Sequence, residues 1–512
     1  MWRSLVVLVL CAVVCGGSRV LVVSPVPSRG HTVLTDSVVK ILLSAGHEVT
    51  VHPPPCVNAT RLTRVNASYV GDDGAGSSSL TIPELVHSPW PPQRILALGV
   101  ELADRLLHHE AVQDLLSDTN YGYDAVIADW YFSGLLAPLA AVYDCPLIWF
   151  SALDASWLSL QLIHEQTSPA YAVDSLATGV PIQPYDITSR LHRLWRQVYL
   201  TGWVHYTTYY KEAPAYEQIY HPYFKLRNRP LPPYESLVYN GSLLLVNSNP
   251  LVGQSLPLPA NVKYVGGHHI VDPVKPLPKI LQEILDTAKN GAIYFNLGSQ
   301  VDSSGLPQRV KKELLQMFSE LEQIVIWRTN DKFDHLPGNV NNYLNDLIPD
   351  HWNMMMFINQ GGLTSLIEAT YYGVPVIGIP LVEDQFVNID IARLRGRAIK
   401  VDYSNNLAFD VRRAINEVLG NYSYRGNVKQ AAEVFRNSIV SPKQELLHNI
   451  EMVITTKGAP NLRSPALQLS TVQALYLDAV VLLLLFLWFL SKVVKVIKAH
   501  TEINEDEDKK DK

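Results

Sequence analysis

The stretch that decides the fold is "MMMFINQGGLTSLIEATYYGVPVIGIPLVEDQ", Met354 to Gln385. An apolar run stops at Asn359 and Gln360, a glycine pair follows, and a helical pattern begins. A second buried-strand pattern, "VPVIGIP", ends just before the polar tripeptide "EDQ". This alternation predicts a β-α-β unit of a parallel sheet, in which ligands bind outside the carboxyl ends of the strands.

The same alternation continues on both sides of this stretch. "AIYFNLGS", "IVIWRT" and "AIKVD" are strand patterns of the same half, and "RVLVVSP", "HEVTVHP" and "YDAVIADW" are strand patterns of the N-terminal half. A segment rich in Pro, Gly and Asn, "NPLVGQSLPLPANVKYVGG", is the predicted linker. We therefore expect an α/β protein of two Rossmann-like domains facing a cleft, residues 18–250 and 251–465.

The middle of the N-terminal half, residues 178–233, differs in composition. It is rich in Tyr, Trp, His and Pro and has weak periodicity. Helices and loops that line an apolar cavity are one interpretation, and ordinary aromatic core packing is the other.

Two apolar segments indicate a membrane protein. Residues 1–17 combine Arg3, the run "LVVLVLCAVV" and small residues, which is typical of a cleaved signal peptide; an uncleaved anchor is the alternative. Residues 471–491 are long enough to span a bilayer, and lysines follow in the predicted cytosolic tail, 492–512. We expect a single-pass type I protein with the two predicted domains in the lumen. The ending "KKDK" predicts residence in the endoplasmic reticulum membrane.

Composition narrows the class further. Net charge is −6, and outside the C-terminal tail no basic tract suggests nucleic-acid binding. Four cysteines, two of them in the predicted signal peptide, rule out a disulfide scaffold. Lumenal residence fits the glycosylation sequons at Asn58, Asn66, Asn240 and Asn421.

The glycine pair can serve a phosphate. Gly361 and Gly362 allow a ligand close to the backbone, and the following helix begins with unpaired N–H groups and the positive end of its dipole. Ser365 adds a hydroxyl, and Glu368 lies one turn further, where a carboxylate could accept from sugar hydroxyls. The alternative is a tight strand-to-helix turn without a ligand.

Two further strand ends carry polar residues. Asp384 and Gln385 follow "VPVIGIP", and a carboxylate beside an amide suits neighbouring sugar hydroxyls. Ser299 follows "FNLG", where a second phosphate contact is expected. Both strand ends belong to the same predicted sheet edge.

These motifs together resemble the UDP-glycosyltransferases, and most closely their membrane-bound animal branch, which includes the UDP-glucuronosyltransferases. The likeness covers almost the whole chain: "GHEVTV", "YVGGHHI…KPLPK", "LGS", "GG…EA…YGVPVIGIPL…DQ", the apolar C-terminal span and the lysine-ending tail. It implies a GT-B fold and an inverting, metal-independent transfer of glucose or glucuronate to a hydroxyl of a small lipophilic acceptor. The UDP-sugar is a co-substrate, and no cofactor is implied.

The resemblance also implies roles for individual residues. His31, in "PSRGHT", matches the catalytic histidine and is placed in the loop after the first strand, while Asp129, in "VIADW", matches its aspartate partner. The donor-binding residues would be Ser299, Gln360, Gly361, Gly362, Ser365, Glu368, Asp384 and Gln385. His47 precedes a strand and is expected to be structural.

The chain departs from the family at the nucleobase. Gln360 stands where the family has histidine, Leu347 where it has the tryptophan that stacks on uracil, and Asp350 where it has glutamine. Trp352 is the candidate replacement platform. Two hypotheses follow: an active transferase, or a catalytically silent relative that binds a lipophilic ligand or regulates an active partner. A cell-surface receptor is a third, and oligomeric state stays open.

Overall fold

The computed structural model describes residues 17–52, 62–64, 91–163, 167–176, 179, 182–271, 276–298, 305–331, 333, 335–342, 351–465, 469–474 and 476–510. The predicted signal peptide, save Gly17, lies outside these residues. So do Asn58, Asn66, Ser299, Leu347 and Asp350.

Two parallel sheets organise the described residues. The first contains β1 (Arg19–Val23), β2 (Glu48–His52), β3 (Leu62–Arg64), β4 (Ala125–Asp129), β5 (Leu147–Ser151), β6 (Leu243–Val246) and β7 (Val262–Tyr264). The second contains β8 (Ala292–Asn296), β9 (Ile324–Trp327), β10 (Val340–Asn342), β11 (Met354–Asn359), β12 (Val376–Gly378) and β13 (Ala398–Lys400). Their spatial orders are β3-β2-β1-β4-β5-β6-β7 and β10-β9-β8-β11-β12-β13. Both orders reverse direction between the first and fourth strands of the sheet, as in doubly wound folds.

Helices alternate with these strands along the chain and follow them at its end. Those of the N-terminal half are α1 (Arg29–Ser44), α2 (Pro92–Leu107), α3 (Glu110–Ser117), α4 (Pro138–Tyr143), α5 (Trp157–Leu160), α6 (Ile187–Thr207), α7 (Ala213–Leu226) and α8 (Tyr234–Val238). Those that follow are α9 (Lys279–Asp286), α10 (Gln308–Ser319), α11 (Leu363–Tyr372), α12 (Gln385–Leu394), α13 (Leu407–Gly420), α14 (Tyr422–Arg436), α15 (Pro442–Thr455), α16 (Thr471–Ala474) and α17 (Leu477–Lys510).

The strands are apolar runs because both faces of each sheet are covered. In β1, Leu21 and Val23 pack into the cluster that contains Trp149, while Val20 and Val22 pack on the opposite face with α1. Neighbouring side chains of a strand point to opposite faces, so a continuous hydrophobic run fills two cores at once.

The chain returns to the first sheet after leaving it. β7 lies at residues 262–264, within the predicted linker, yet pairs with β6. Helix α15 contributes Leu446, Ile450 and Val453 to the core cluster that also holds Val20 and Leu243. The first sheet is therefore completed by two segments, one that precedes the second sheet in the chain and one that follows it.

Helix α6 keeps an apolar stripe in solvent. Ile187, Leu191, Trp195 and Val198 recur at helical spacing, and Trp195 is 69% exposed. A π-helical turn, Thr208–Glu212, joins α6 to α7. This face lies on the surface and does not line an enclosed cavity.

The C-terminal residues form a separate unit that begins at Arg463. In it, Leu477–Ile497 is long and apolar enough to cross a membrane. This segment starts six residues later than the span predicted from the sequence and includes Lys492 and Lys495.

Candidate functional site

His31 and Asp129 meet where the first sheet changes winding direction. His31 lies in the first turn of α1, which Ser28 caps, and not in a loop as the sequence suggested. Asp129 is the last residue of β4, the neighbour of β1. The distance from His31 Nδ1 to Asp129 Oδ2 is 2.7 Å, and both side chains are buried.

This contact determines what the imidazole can do. Nδ1–H donates to the carboxylate, so Nε2 is the ring nitrogen left to accept a proton. Burial by itself lowers the pKa of His31, but the charge and hydrogen bond of Asp129, with the charges of Glu383 and Asp384, raise it above 6.5. The arrangement is that of a general base with its orienting carboxylate.

Ser24 belongs to this site and was missed by sequence reasoning. Its hydroxyl donates to Asp129 Oδ2 at 2.6 Å, while buried Asp129 Oδ1 accepts no hydrogen bond from the described residues. Ser24 directly follows β1, at the same sheet edge as Asp129. Its place after a buried strand was therefore the available signal.

The glycine pair ends β11 as a close-packed turn. Asn359 Oδ1 accepts from the Gly361 backbone N–H at 2.7 Å, and Gly361 has φ +91°. A Cβ added there would lie 2.4 Å from Ile389, and one added at Gly298 would lie 2.0 Å from the Gln360 amide. Glycine is thus required at both strand ends.

This turn leaves polar groups for a ligand. Gly362 caps α11 without a side-chain hydrogen bond, and half-buried Ser365 lies in the first turn of that helix. Gln360 Oε1 and Asn359 Nδ2 are buried without hydrogen-bond partners among the described residues. A helix N-terminus with a bare backbone fits an anion such as a diphosphate.

Glu368 is held by a residue that the sequence did not identify. His269 Nε2 lies 3.3 Å from Glu368 Oε1, and both side chains are buried. His269 follows β7, far from α11 in the chain. In its neighbour His268, Nδ1 lies 2.8 Å from the Val265 carbonyl oxygen and Nε2 lies 3.3 Å from the Leu34 carbonyl oxygen, and burial lowers the pKa of His268 to about 3.

Asp384 and Gln385 begin α12, at the carboxyl edge of the second sheet. Gln385 Oε1 accepts from the backbone N–H groups of Leu381 and Val382, so its amide N–H₂ is the part available to a ligand. Asp384 Oδ2 accepts from Asn388 at 2.6 Å. Burial, followed by the charge of Glu383, raises the pKa of Asp384 to about 7.

Tyr131, in the N-terminal half, contacts the residue that directly precedes Asp384 and Gln385. Its hydroxyl donates to Glu383 Oε1 at 2.6 Å, and its ring meets the His31 ring edge-on at 5.7 Å. Asn247 makes a second connection, donating to Thr364 Oγ1 at 3.2 Å. The structure therefore brings together His31, Asp129, Asp384 and Gln385, the residues expected to hold the two reactants.

Other predicted residues lie elsewhere. Asn240 and Asn421 are exposed, and Asn421 caps α14. Trp352 is 75% exposed and precedes β11, so the length of a six-residue strand, about 20 Å, separates it from the ligand edge. The expectation that Trp352 replaces the uracil platform is therefore wrong. His47 is structural: Nδ1 accepts from Ser18 N, and Nε2 lies 3.4 Å from Glu451 of α15.

Similar proteins are consistent with this geometry. A UDP-glucosyltransferase 2 from Dactylopius coccus is 27% identical over 495 residues, 94% of this chain and 92% of the relative. UDP-glucuronosyltransferase 2B7 from Homo sapiens is 35% identical over 234 residues, 44% of each chain.

Solved structures support the fold. The calicheamicin glycosyltransferase CalG4 superposes with a TM-score of 0.55 at 14% identity, covering 85% of this chain and 98% of that one. A UDP-glucosyltransferase from Polygonum tinctorium gives a TM-score of 0.53 at 14% identity, over 86% and 99% of the two chains. At this identity the likeness establishes the GT-B fold alone.

The family model described as "UDP-glucoronosyl and UDP-glucosyl transferase" matches residues 191–505, more than half of the chain. This protein therefore belongs to the UDP-glycosyltransferase family and is an enzyme that transfers a sugar from a UDP-sugar to an acceptor.

Proposed function

We propose that this protein transfers a hexose from a UDP-sugar to a hydroxyl of a small lipophilic acceptor, with inversion and without a metal ion. The observation that carries the proposal is the His31–Asp129 pair, at 2.7 Å, beside the Asp384–Gln385 end of the opposite sheet. One side supplies a base, and the other supplies partners for sugar hydroxyls.

The reaction follows from this placement. His31 Nε2 removes the proton of the acceptor hydroxyl as the acceptor oxygen attacks the anomeric carbon. The bond between that carbon and the β-phosphate oxygen breaks, and UDP leaves with the electron pair. Asp129 stabilises the imidazolium that forms. Inversion follows because the acceptor and the leaving group occupy opposite faces of the sugar.

The leaving group has its own stabilising groups. The backbone N–H groups of Gly362 and of the first turn of α11 would donate to the diphosphate, with the Ser365 hydroxyl and the Gln360 amide as further donors. Ser299 remains a predicted contact, and Glu368, oriented by His269, is a predicted acceptor for hydroxyls of the nucleotide sugar. Protein dipoles would carry the charge that metal ions carry in other transferases.

The test is transfer by the full-length chain in detergent or nanodiscs, with UDP-glucose and UDP-glucuronate and a panel of phenols. His31→Ala should lower kcat/KM by about 10²–10⁴ while UDP binding stays unchanged. His448→Ala, an exposed histidine of α15, is the matched control. Equal activity of wild type and His31→Ala would contradict the assigned base.

Gln360 favours a second candidate function, the silent relative. An amide in the place of the family's histidine is not cationic, and the residues that would hold uracil differ as well. A folded chain that binds a lipophilic compound but neither UDP nor a UDP-sugar would support this candidate and reject the transferase.

We also propose residence in the endoplasmic reticulum membrane, with the sheets in the lumen and Leu477–Ile497 as the span. Exposed Asn240 and Asn421 would then carry glycans. Loss of mass after endoglycosidase treatment, smaller in Asn421→Gln and in Asn240→Gln than in the wild type, checks this orientation. Unchanged mass at both positions would contradict it.

A further inference from the structure

Glu383 lies at the site but has no role in the proposed mechanism. It lies between β12 and α12, directly before Asp384, and its backbone has φ +52°. A non-glycine residue in this left-handed region is strained, and such strain is concentrated at functional positions. The side chain is held by the 2.6 Å hydrogen bond from Tyr131.

This contact brings three carboxylates to one place. The charges of Glu383, Asp384 and Asp129 all act on the Tyr131 hydroxyl, and burial with these charges raises the pKa of Tyr131 well above 10. The phenol therefore stays protonated and serves as a donor. The charges of Glu383 and Asp384 also raise the pKa of His31, the proposed base for the acceptor hydroxyl.

Glu383 and Asp384 form no ion pair with a lysine or an arginine among the described residues. Their side-chain hydrogen bonds come from the Tyr131 hydroxyl and the Asn388 amide. In that part of the chain, therefore, no lysine or arginine offsets the two carboxylates by direct contact.

A sugar in this place meets acceptors of negative charge. Hydroxyl groups of a neutral hexose can donate to Glu383 and Asp384, whereas the carboxylate of a uronate would be desolvated against like charges. Repulsion between unit charges is several-fold stronger in a buried site than in water. The negative charge at this site thus disfavours the binding of an anionic sugar.

We propose that Glu383, positioned by Tyr131, makes the donor site selective for UDP-hexoses with an uncharged sugar, because its carboxylate rejects a uronate. This inference rests on the proposed function, because it requires the donor sugar to lie between the Asp384 and His31 sides.

The test is calorimetry on the full-length chain in nanodiscs with UDP, UDP-glucose and UDP-glucuronate. It is run at pH 8, above the pKa of about 7 of Asp384. We expect UDP-glucose to bind at least about tenfold more tightly than UDP-glucuronate. Glu383→Gln keeps the size and the acceptor for Tyr131 but removes the charge. It should reduce that ratio at least about fivefold, mainly by tighter binding of UDP-glucuronate.

Further variants keep the result interpretable. Glu383→Gly suits the positive φ, so it removes the carboxylate without backbone strain should the glutamine variant fold poorly. Tyr131→Phe releases Glu383 and should reduce the ratio less than Glu383→Gln. Glu313→Gln, a half-buried carboxylate on α10 that pairs with Arg309, is the matched control and should leave the ratio unchanged.

Two failures can be told apart. UDP binding together with equal or tighter binding of UDP-glucuronate would overturn this inference and leave the donor site standing. An unchanged ratio in both Glu383→Gln and Glu383→Gly would also overturn it. A folded chain that binds no UDP would overturn the proposed function, and this inference with it.

Discussion

The protonation of His31 sets the pH range in which the site works. The base must be neutral, and its pKa lies above 6.5 because of Asp129 and the neighbouring carboxylates. We therefore expect kcat/KM to rise with pH through a midpoint above 6.5. In Asp129→Asn the midpoint should fall, because a positive charge loses its partner, and the rate should drop by about 10²–10⁴. Rate profiles of both proteins from pH 5.5 to 9 check this, and an unshifted midpoint would contradict it.

The buried carboxylate of Asp384 serves the binding of the sugar but lowers the stability of the free protein. Its folded pKa of about 7 exceeds its ordinary 3.8, so the native state binds an extra proton between these values. Stability from this group is therefore lost as pH rises through that window. Asp384→Asn removes the buried charge and can still accept from Asn388. We expect it to stabilise the free protein at pH 8 by on the order of 2–4 kcal/mol, and less at pH 5.

Thermal unfolding at the two pH values measures this difference. The same variant should bind UDP-glucose more weakly, because the amide is a poorer acceptor for sugar hydroxyls. A variant that is destabilised equally at both pH values would show that Asp384 is a packing residue.

At the scale of elements, the turn from β11 to α11 requires Gly361. A methyl group there meets Ile389 at 2.4 Å, and φ +91° is unfavourable for alanine. Gly361→Ala should destabilise the protein by about 1–3 kcal/mol and weaken UDP binding at least as much as it affects folding. Urea denaturation and calorimetry with UDP check both effects.

Gly426 provides the matched control for that prediction. It lies within α14, exposed, with nothing within 4 Å of an added Cβ. Gly426→Ala should stabilise the protein by about 0.5–1 kcal/mol, because alanine favours a helix interior over glycine. Destabilisation of the same size in both variants would refute the steric argument at Gly361.

The spacing of apolar residues predicted most helices and strands, because the helical and the strand periodicity are both properties of the local sequence. "YDAVIADW" became β4 with Asp129 at its carboxyl end, and "FINQGG" became the end of β11. Pattern could not predict Ser24–Asp129, His269–Glu368 or Tyr131–Glu383, whose partners are 105, 99 and 252 residues apart. Those pairs depend on strand order and on how the two sheets dock. The failed role for Trp352 has the same cause, since proximity in sequence was taken for proximity at the sheet edge.

At the scale of the whole molecule, α15 ties the end of the globular chain to its beginning. Ile450 is fully buried in the cluster of the first sheet. Ile450→Ala should destabilise the protein by about 2–5 kcal/mol, whereas Val434→Ala, 57% exposed on α14, should change stability by less than about 0.5 kcal/mol. Urea denaturation gives both values. A small effect at Ile450 would show that the first sheet is stable without this helix.

The sequence could not assign α15 to a sheet. The segment "PKQELLHNIEMVIT" has buried residues at helical spacing, which indicates that it covers an apolar surface. Which surface it covers depends on the path from residue 436 to residue 442, and that path has no local signature. The two-domain architecture was predictable from strand alternation, but the packing of α15 on the first sheet was not.

The packing of α15 on the first sheet has a consequence for recombination between relatives. A chimera built by exchanging residues 18–250 would keep the native α15, and Leu446, Ile450 and Val453 would then meet a sheet with foreign side chains. Glu451 would also lose its neighbour His47 unless the donor sequence kept that histidine. New acceptor preferences would therefore transfer cleanly only when residues 442–462 move together with the N-terminal half, so that evolution and protein engineering must treat two distant pieces of the chain as one heritable module.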